Sequence, residues 1–120
     1  MKQARVCQPH QRSYPDPICV RAGDAVTLTG RKDIWDGHCW LWAVAEDGRA
    51  GWIPDDLVHP GLRAASAGPA TAQRDYWAME LSCAVGDMLT VLDEHHGWAW
   101  CRNAMGETGW VPLRMLEMCA

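Results

Sequence analysis

Between Gly97 and Pro112 large and small side chains alternate. Trp98 and Trp100 fall on one side, Ala99 and Cys101 on the other. Period two over a short run predicts a β-strand with two unlike faces. Ala104-Met105-Gly106 breaks the alternation with a glycine, as a tight hairpin requires. The chain returns through Thr108 to Val111 and stops at Pro112, which cannot donate to a ladder. A lone hairpin is marginal in water, so more sheet must surround it.

The pattern occurs twice. Trp40, Trp42, Gly51, Trp52 and Pro54 match Trp98, Trp100, Gly109, Trp110 and Pro112 at one offset of 58 residues. Gly23-Asp24 matches Gly86-Asp87 at an offset of 63, so the first repeat carries five extra residues between that Gly-Asp and its first matched Trp, Trp40. Internal duplication is the strongest organising signal in the chain. It predicts a first domain over 1–59, a linker over 60–71 and a second domain over 72–120.

Other segments fit the same plan. Ala4 to Gln8 reads as a first short strand, and Pro9, Pro15 and Pro17 make an irregular loop around Tyr14. Val26 and Leu28 alternate with threonines, as do Leu89 and Val91 with their neighbours, which predicts half-buried strands. Gly30 to His38 reads as a loop, and Trp40–Ala45 and Arg49–Ile53 as strands. Pro54 to Leu57 suits one 3-10 turn. Pro60 to Ala72 is small, polar and proline-glycine rich, as a linker is. No segment keeps a helical period long enough for a helix. Short strands at close turn spacing predict small β-barrels.

Composition narrows the function. Net charge is −4, and no basic run exists, which argues against sequence-independent nucleic-acid binding. No apolar run approaches a membrane span, and Met1 to Arg5 leads into no apolar signal segment. The expectation is a soluble, cytoplasmic protein. Repeats of about 55 residues bury little surface alone, so the two domains are expected to dock. Eight Trp partly offset the small size, while Phe is absent.

Chemistry is sparse. The six Cys never form a CxxC pair, so neither a zinc site nor a disulfide framework is indicated. Cys83 and Cys101 read as small buried hydrophobes. His95-His96 beside Asp93-Glu94 reads as a solvated polar turn rather than a metal site. None of Ser13, Ser66 and Ser82 sits in a nucleophile elbow. No catalytic residue, metal or cofactor is expected.

At this point the second repeat resembles a Src homology 3 (SH3) domain. Ala72 to Ala78 is similar to that family's Ala-Leu-Tyr-Asp-Tyr motif, and Glu80-Leu81-Ser82-Cys83 to its Glu-Leu-Ser-Phe. Gly86-Asp87, Gly97-Trp98 and Gly109-Trp110-Val111-Pro112 follow in the family's order. The first repeat resembles it through Gly23-Asp24, Trp40 and Gly51-Trp52-Ile53-Pro54. The arrangement looks like the tandem variant SH3 proteins of bacteria. The resemblance implies an all-β chain of two tandem SH3-like five-stranded barrels, each with a shallow aromatic groove for proline-rich peptides. By position the second groove is Tyr76, Trp98, Trp110, Pro112 and Met115, and the first is Trp40, Trp52, Pro54 and Tyr14. Arg74 and Met115 replace two of the family's tyrosines. The first long loop of the second repeat, which usually carries the acids that hold a ligand Arg, is short. Glu80 and the Asp93-Glu94 pair are the acids left to serve.

Strand alternation puts Ala99, Cys101 and Val111 inward, and Trp98, Trp100 and Trp110 outward. Trp40, Trp42 and Trp52 repeat that pattern. Large outward apolar patches call for a cover: the other domain, the linker, a second chain or a partner. Two readings follow. One is a non-enzymatic adaptor-type module that binds a protein or peptide, a proline-rich one included, as a monomer or weak homodimer. The other is a structural homo-oligomer whose Trp faces are used in self-association.

Overall fold

The computed structural model describes residues 2–58 and 67–118. Regular structure among them is all β, apart from two single 3-10 turns. In chain order the strands are β1 (Lys2–Val6), β2 (Cys19–Val20), β3 (Ala25–Trp35), β4 (His38–Ala45), β5 (Ala50–Pro54), β6 (Gly68–Thr71), β7 (Tyr76–Trp77), β8 (Met88–His95), β9 (Trp98–Arg102), β10 (Thr108–Pro112) and β11 (Leu116–Met118). The 3-10 turns are Asp55–Leu57 and Leu113–Met115, each entered from a proline that ends the strand before it.

Two compact units form, and they do not follow sequence order. A continuous unit takes Asp16–Ala78; a split unit takes Met1–Pro15 together with Met79–Ala120. β1 lies between β8 and β11, with Ala4 opposite Leu89 on one side and Met118 on the other. β6 lies against β3, with Ala70 opposite Val26. The leading strand of each repeat therefore completes the sheet of the other repeat. The loops behind those strands go the same way. β7 pairs with β2, setting Tyr76 opposite Val20, and His10 bridges Cys83.

The division into 1–59, 60–71 and 72–120 cuts across both units. Residues 60–66 of the expected linker lie outside the described residues. Residues 68–71 of it form β6. Ala70 of this strand and the following Ala72 are buried among the core of the continuous unit.

The split unit holds one five-stranded sheet in the order β10-β9-β8-β1-β11. The continuous unit holds a four-stranded sheet, β5-β4-β3-β6, beside the β2–β7 pair. Its fifth position is reduced to a bridge between Val58 and Ala72. Among the described residues, strand pairing closes neither sheet into a full barrel. At the outer edge of β10 the loop takes over instead: Trp110 donates its N–H to Met79 and accepts one from Leu81.

Each unit has its own core. Ala99, Cys101 and Val111 point inward and are fully buried, as alternation requires. Ala43 and Ile53 do the same in the continuous unit. The expected loop from Gly30 to His38 is largely strand. β3 shifts register after Leu28, passes Gly30 at a φ of 88°, and runs on to Trp35. A bulge lets one strand bend and keep pairing. The turn that follows, Asp36-Gly37, has φ of 52° and 80°, and His96-Gly97 repeats it at 52° and 83°. Positive φ at both central residues is the type I′ geometry that suits strand twist.

Candidate peptide-binding faces

In the continuous unit, the register of β4 and β5 sets Trp42 opposite Trp52. Their rings meet edge-to-face, 5.1 Å apart at 75°. Such a pair contributes about 0.5–1.5 kcal/mol beyond its burial. Trp35, from the five extra residues, meets Trp52 at 5.2 Å and Trp40 at 5.4 Å. Its Nε1 donates to Asp33 at 2.8 Å, which fixes the ring. Arg31 lays its guanidinium over both indoles, 5.1 Å from Trp42 and 5.0 Å from Trp52. Tyr76 donates its hydroxyl to the Trp52 carbonyl at 3.2 Å.

The split unit repeats the indole pair. Trp100 stands opposite Trp110, with centroids 5.2 Å apart at 64°. Trp98 meets the edge of His10 at 5.6 Å. His10 Nε2 lies 2.9 Å from Glu80 Oε1, and the Ser13 hydroxyl donates to the same oxygen at 3.1 Å. Arg12 Nε donates to the Glu80 carbonyl at 2.8 Å. Both the imidazole and the carboxylate are largely buried. The acid expected to await a ligand Arg thus has one oxygen already engaged by its own unit.

The sequence-predicted residues regroup accordingly. Tyr76 sits with Trp40, Trp42, Trp52 and Pro54, not with Trp98 and Trp110. Tyr14 sits with Trp98, Trp100, Trp110, Pro112 and Met115. Four positions also differ from a ligand-facing reading. Trp40 is 5% exposed, with Trp35 laid against it. Pro54 and Pro112 are fully buried, because each begins a 3-10 turn folded back on its unit. Met115 packs on the core, and its carbonyl accepts the Cys7 N–H at 2.8 Å. Trp42, Trp52, Trp98, Trp100 and Trp110 are half-buried, and Tyr14 is exposed.

Three contributors escaped the sequence reading. His10 occupies in the split unit the register place of Tyr76, since His10 opposes Cys83 as Tyr76 opposes Val20. An alignment of Ala4 with Ala70 would have exposed the match, because both pairs share an offset of 66. Arg31 and Trp35 lie in the stretch whose sequence predicts a loop. His95 and His96 stack their rings at 4.9 Å where β8 enters its turn.

The family described as variant SH3 domain matches residues 4–61 and again 66–119. The chain belongs to this family. Domains of this kind mediate protein–protein interaction and are as a rule not catalytic. Neither the curated proteins nor the solved structures yield a match. Each variant SH3 match follows one repeat, so each runs through both structural units. Among the described residues no helix is long and apolar enough to cross a membrane.

Proposed function

We propose that this variant SH3 chain is a non-enzymatic interaction module that takes peptide or protein ligands on its two indole faces. One observation carries the reading: both units keep a cross-strand Trp pair half-buried on the side away from the core. Trp in such a setting offers large contact area at low entropic cost, and is favoured where partners bind. A proline-rich segment suits the face, since it arrives extended and lays its rings between aromatic ridges. The two faces have different neighbours, Tyr76 in one and His10 with Tyr14 in the other, so two ligand preferences are expected. The exposed thiols of Cys7 and Cys19 favour a reducing, cytoplasmic setting.

Titration of the full chain with a proline-rich peptide, followed by Trp fluorescence, tests the proposal. Saturable quenching that Trp52→Ala or Trp110→Ala abolishes supports it. No change at millimolar peptide, with a mass in solution of two or more chains, replaces it with self-association through the same faces.

A further inference from the structure

We propose that the indole face of the continuous unit recognises a carboxylate, so that its ligand is an acidic peptide. The inference rests on the reading of that face as a peptide site. Arg31 is exposed, yet its guanidinium is held on two indoles, 5.1 Å and 5.0 Å from their centres. Its backbone is held as well. The Thr29 hydroxyl accepts the Arg31 N–H and donates to the Trp42 carbonyl, both at 3.3 Å.

The nearest acid in sequence does not neutralise it. Asp33 accepts the Ile34 N–H on one oxygen, at 2.9 Å, and Trp35 Nε1 on the other, at 2.8 Å. Among the described residues Arg31 makes no ion pair, and neither does the adjacent, exposed Lys32. A guanidinium stacked on aromatic rings still presents its planar fork of N–H donors at the edge. Being already ordered, it gives up little freedom when a carboxylate arrives. The apolar neighbour of that carboxylate would rest on Trp52 and Trp35.

The other unit supplies a contrast. Asp93 stands opposite Trp100 at the register shift of β8, whereas in β3 it is Arg31, inside the shift, whose guanidinium lies over Trp42. The two faces therefore carry opposite charges beside matching indoles. An acidic ligand is drawn to the continuous unit and repelled from the split one. The net charge of −4 opposes any anion at long range, but physiological salt screens that field beyond about 8 Å and leaves the close pair.

Three short synthetic peptides, alike except for Glu, Gln or Lys between proline pairs, form the test. Each is labelled with fluorescein, and its binding to the full chain is read by anisotropy at physiological salt. The Glu peptide is expected to bind about tenfold more tightly than the Gln peptide, the scale of one charge-assisted fork. Arg31→Gln should bring the two to parity. Arg31→Lys should restore part of the preference. Unchanged far-ultraviolet circular dichroism confirms that the variants fold. Equal affinity for Glu and Gln peptides, a preference that survives Arg31→Gln, or tightest binding of the Lys peptide overturns the acidic assignment. If the Gln peptide still binds and Trp52→Ala releases it, peptide capture stands without that assignment. If none of the three binds, both fall together.

Discussion

A Cβ placed on Gly109 would stand 2.6 Å from the backbone nitrogen of Leu81. Only glycine lets the loop come this near to β10, where the Leu81 N–H reaches the Trp110 carbonyl at 3.0 Å. Gly51 and Ile18 repeat the relationship in the continuous unit, but the closest atom there is the side-chain Cγ2 of Ile18, at 2.9 Å. Backbone cannot step aside as a side chain can. Gly109→Ala is therefore expected to destabilise the split unit by about 2–3 kcal/mol, and Gly51→Ala the continuous unit by about 1 kcal/mol. Urea unfolding of both variants checks the order; an equal or reversed cost contradicts it.

Residues 16–78 contain every strand of one unit, so this fragment should fold when expressed alone. Residues 1–59 and 72–120 should not, because each lacks the strand that fills its sheet. At this size stability is marginal, and losing a strand that buries Ala4 and Val6 is not survivable. Dispersed amide proton spectra for 16–78, and collapsed ones for the two sequence repeats, are the expected result. A well-folded 72–120 would refute the exchange of leading strands.

Tyr76 connects the exchange to a single hydrogen bond. Its hydroxyl reaches the Trp52 carbonyl within the continuous unit. Tyr76→Phe should lower the stability of that unit by about 1 kcal/mol. Native-state hydrogen exchange should show faster opening in β4 and β5 and no change in β9 and β10. The reverse pattern would place Tyr76 with its own repeat.

The thiols separate by burial. Burial pushes the Cys101 thiol up to about 12 from its ordinary 9.0, and Cys83 rises for the same reason. At pH 8 the thiolate fraction of Cys101 is about one in ten thousand, so it should resist alkylation while exposed Cys7 and Cys19 react. A raised pKa means the folded state holds the proton more tightly. The resulting stability is complete below pH 9 and declines as pH climbs toward 12. Mass mapping after timed iodoacetamide treatment, and thermal unfolding between pH 8 and 11, test both statements.

Much of this was legible in the residues. The Trp-x-Trp alternation, the Gly-Trp-x-Pro strand ends and the inward Ala99, Cys101 and Val111 follow from period-two geometry, which is local. Pairing between distant strands is not local. Ala4-Arg5-Val6 and Ala70-Thr71-Ala72 are near-equivalents, and either fits either sheet by pattern alone. Their choice of partner depends on how the chain runs through residues 15–16 and 78–79, where it leaves one unit for the other. The groove assignments inherited that ambiguity, which is why Tyr76 and Tyr14 changed places. Arg31 and Trp35 were hidden by Gly30, whose bulge continues the strand where a glycine suggested its end.

The pairing of Arg5 with Glu117 spans almost the whole length of the chain. On the ribosome, β1 is made well before β8 and β11 and can pair with them only once they emerge. The 16–78 body can assemble in the meantime, and the split body must await the final hairpin. Maturation thus has a built-in sequence, with β1 acting as the last stitch.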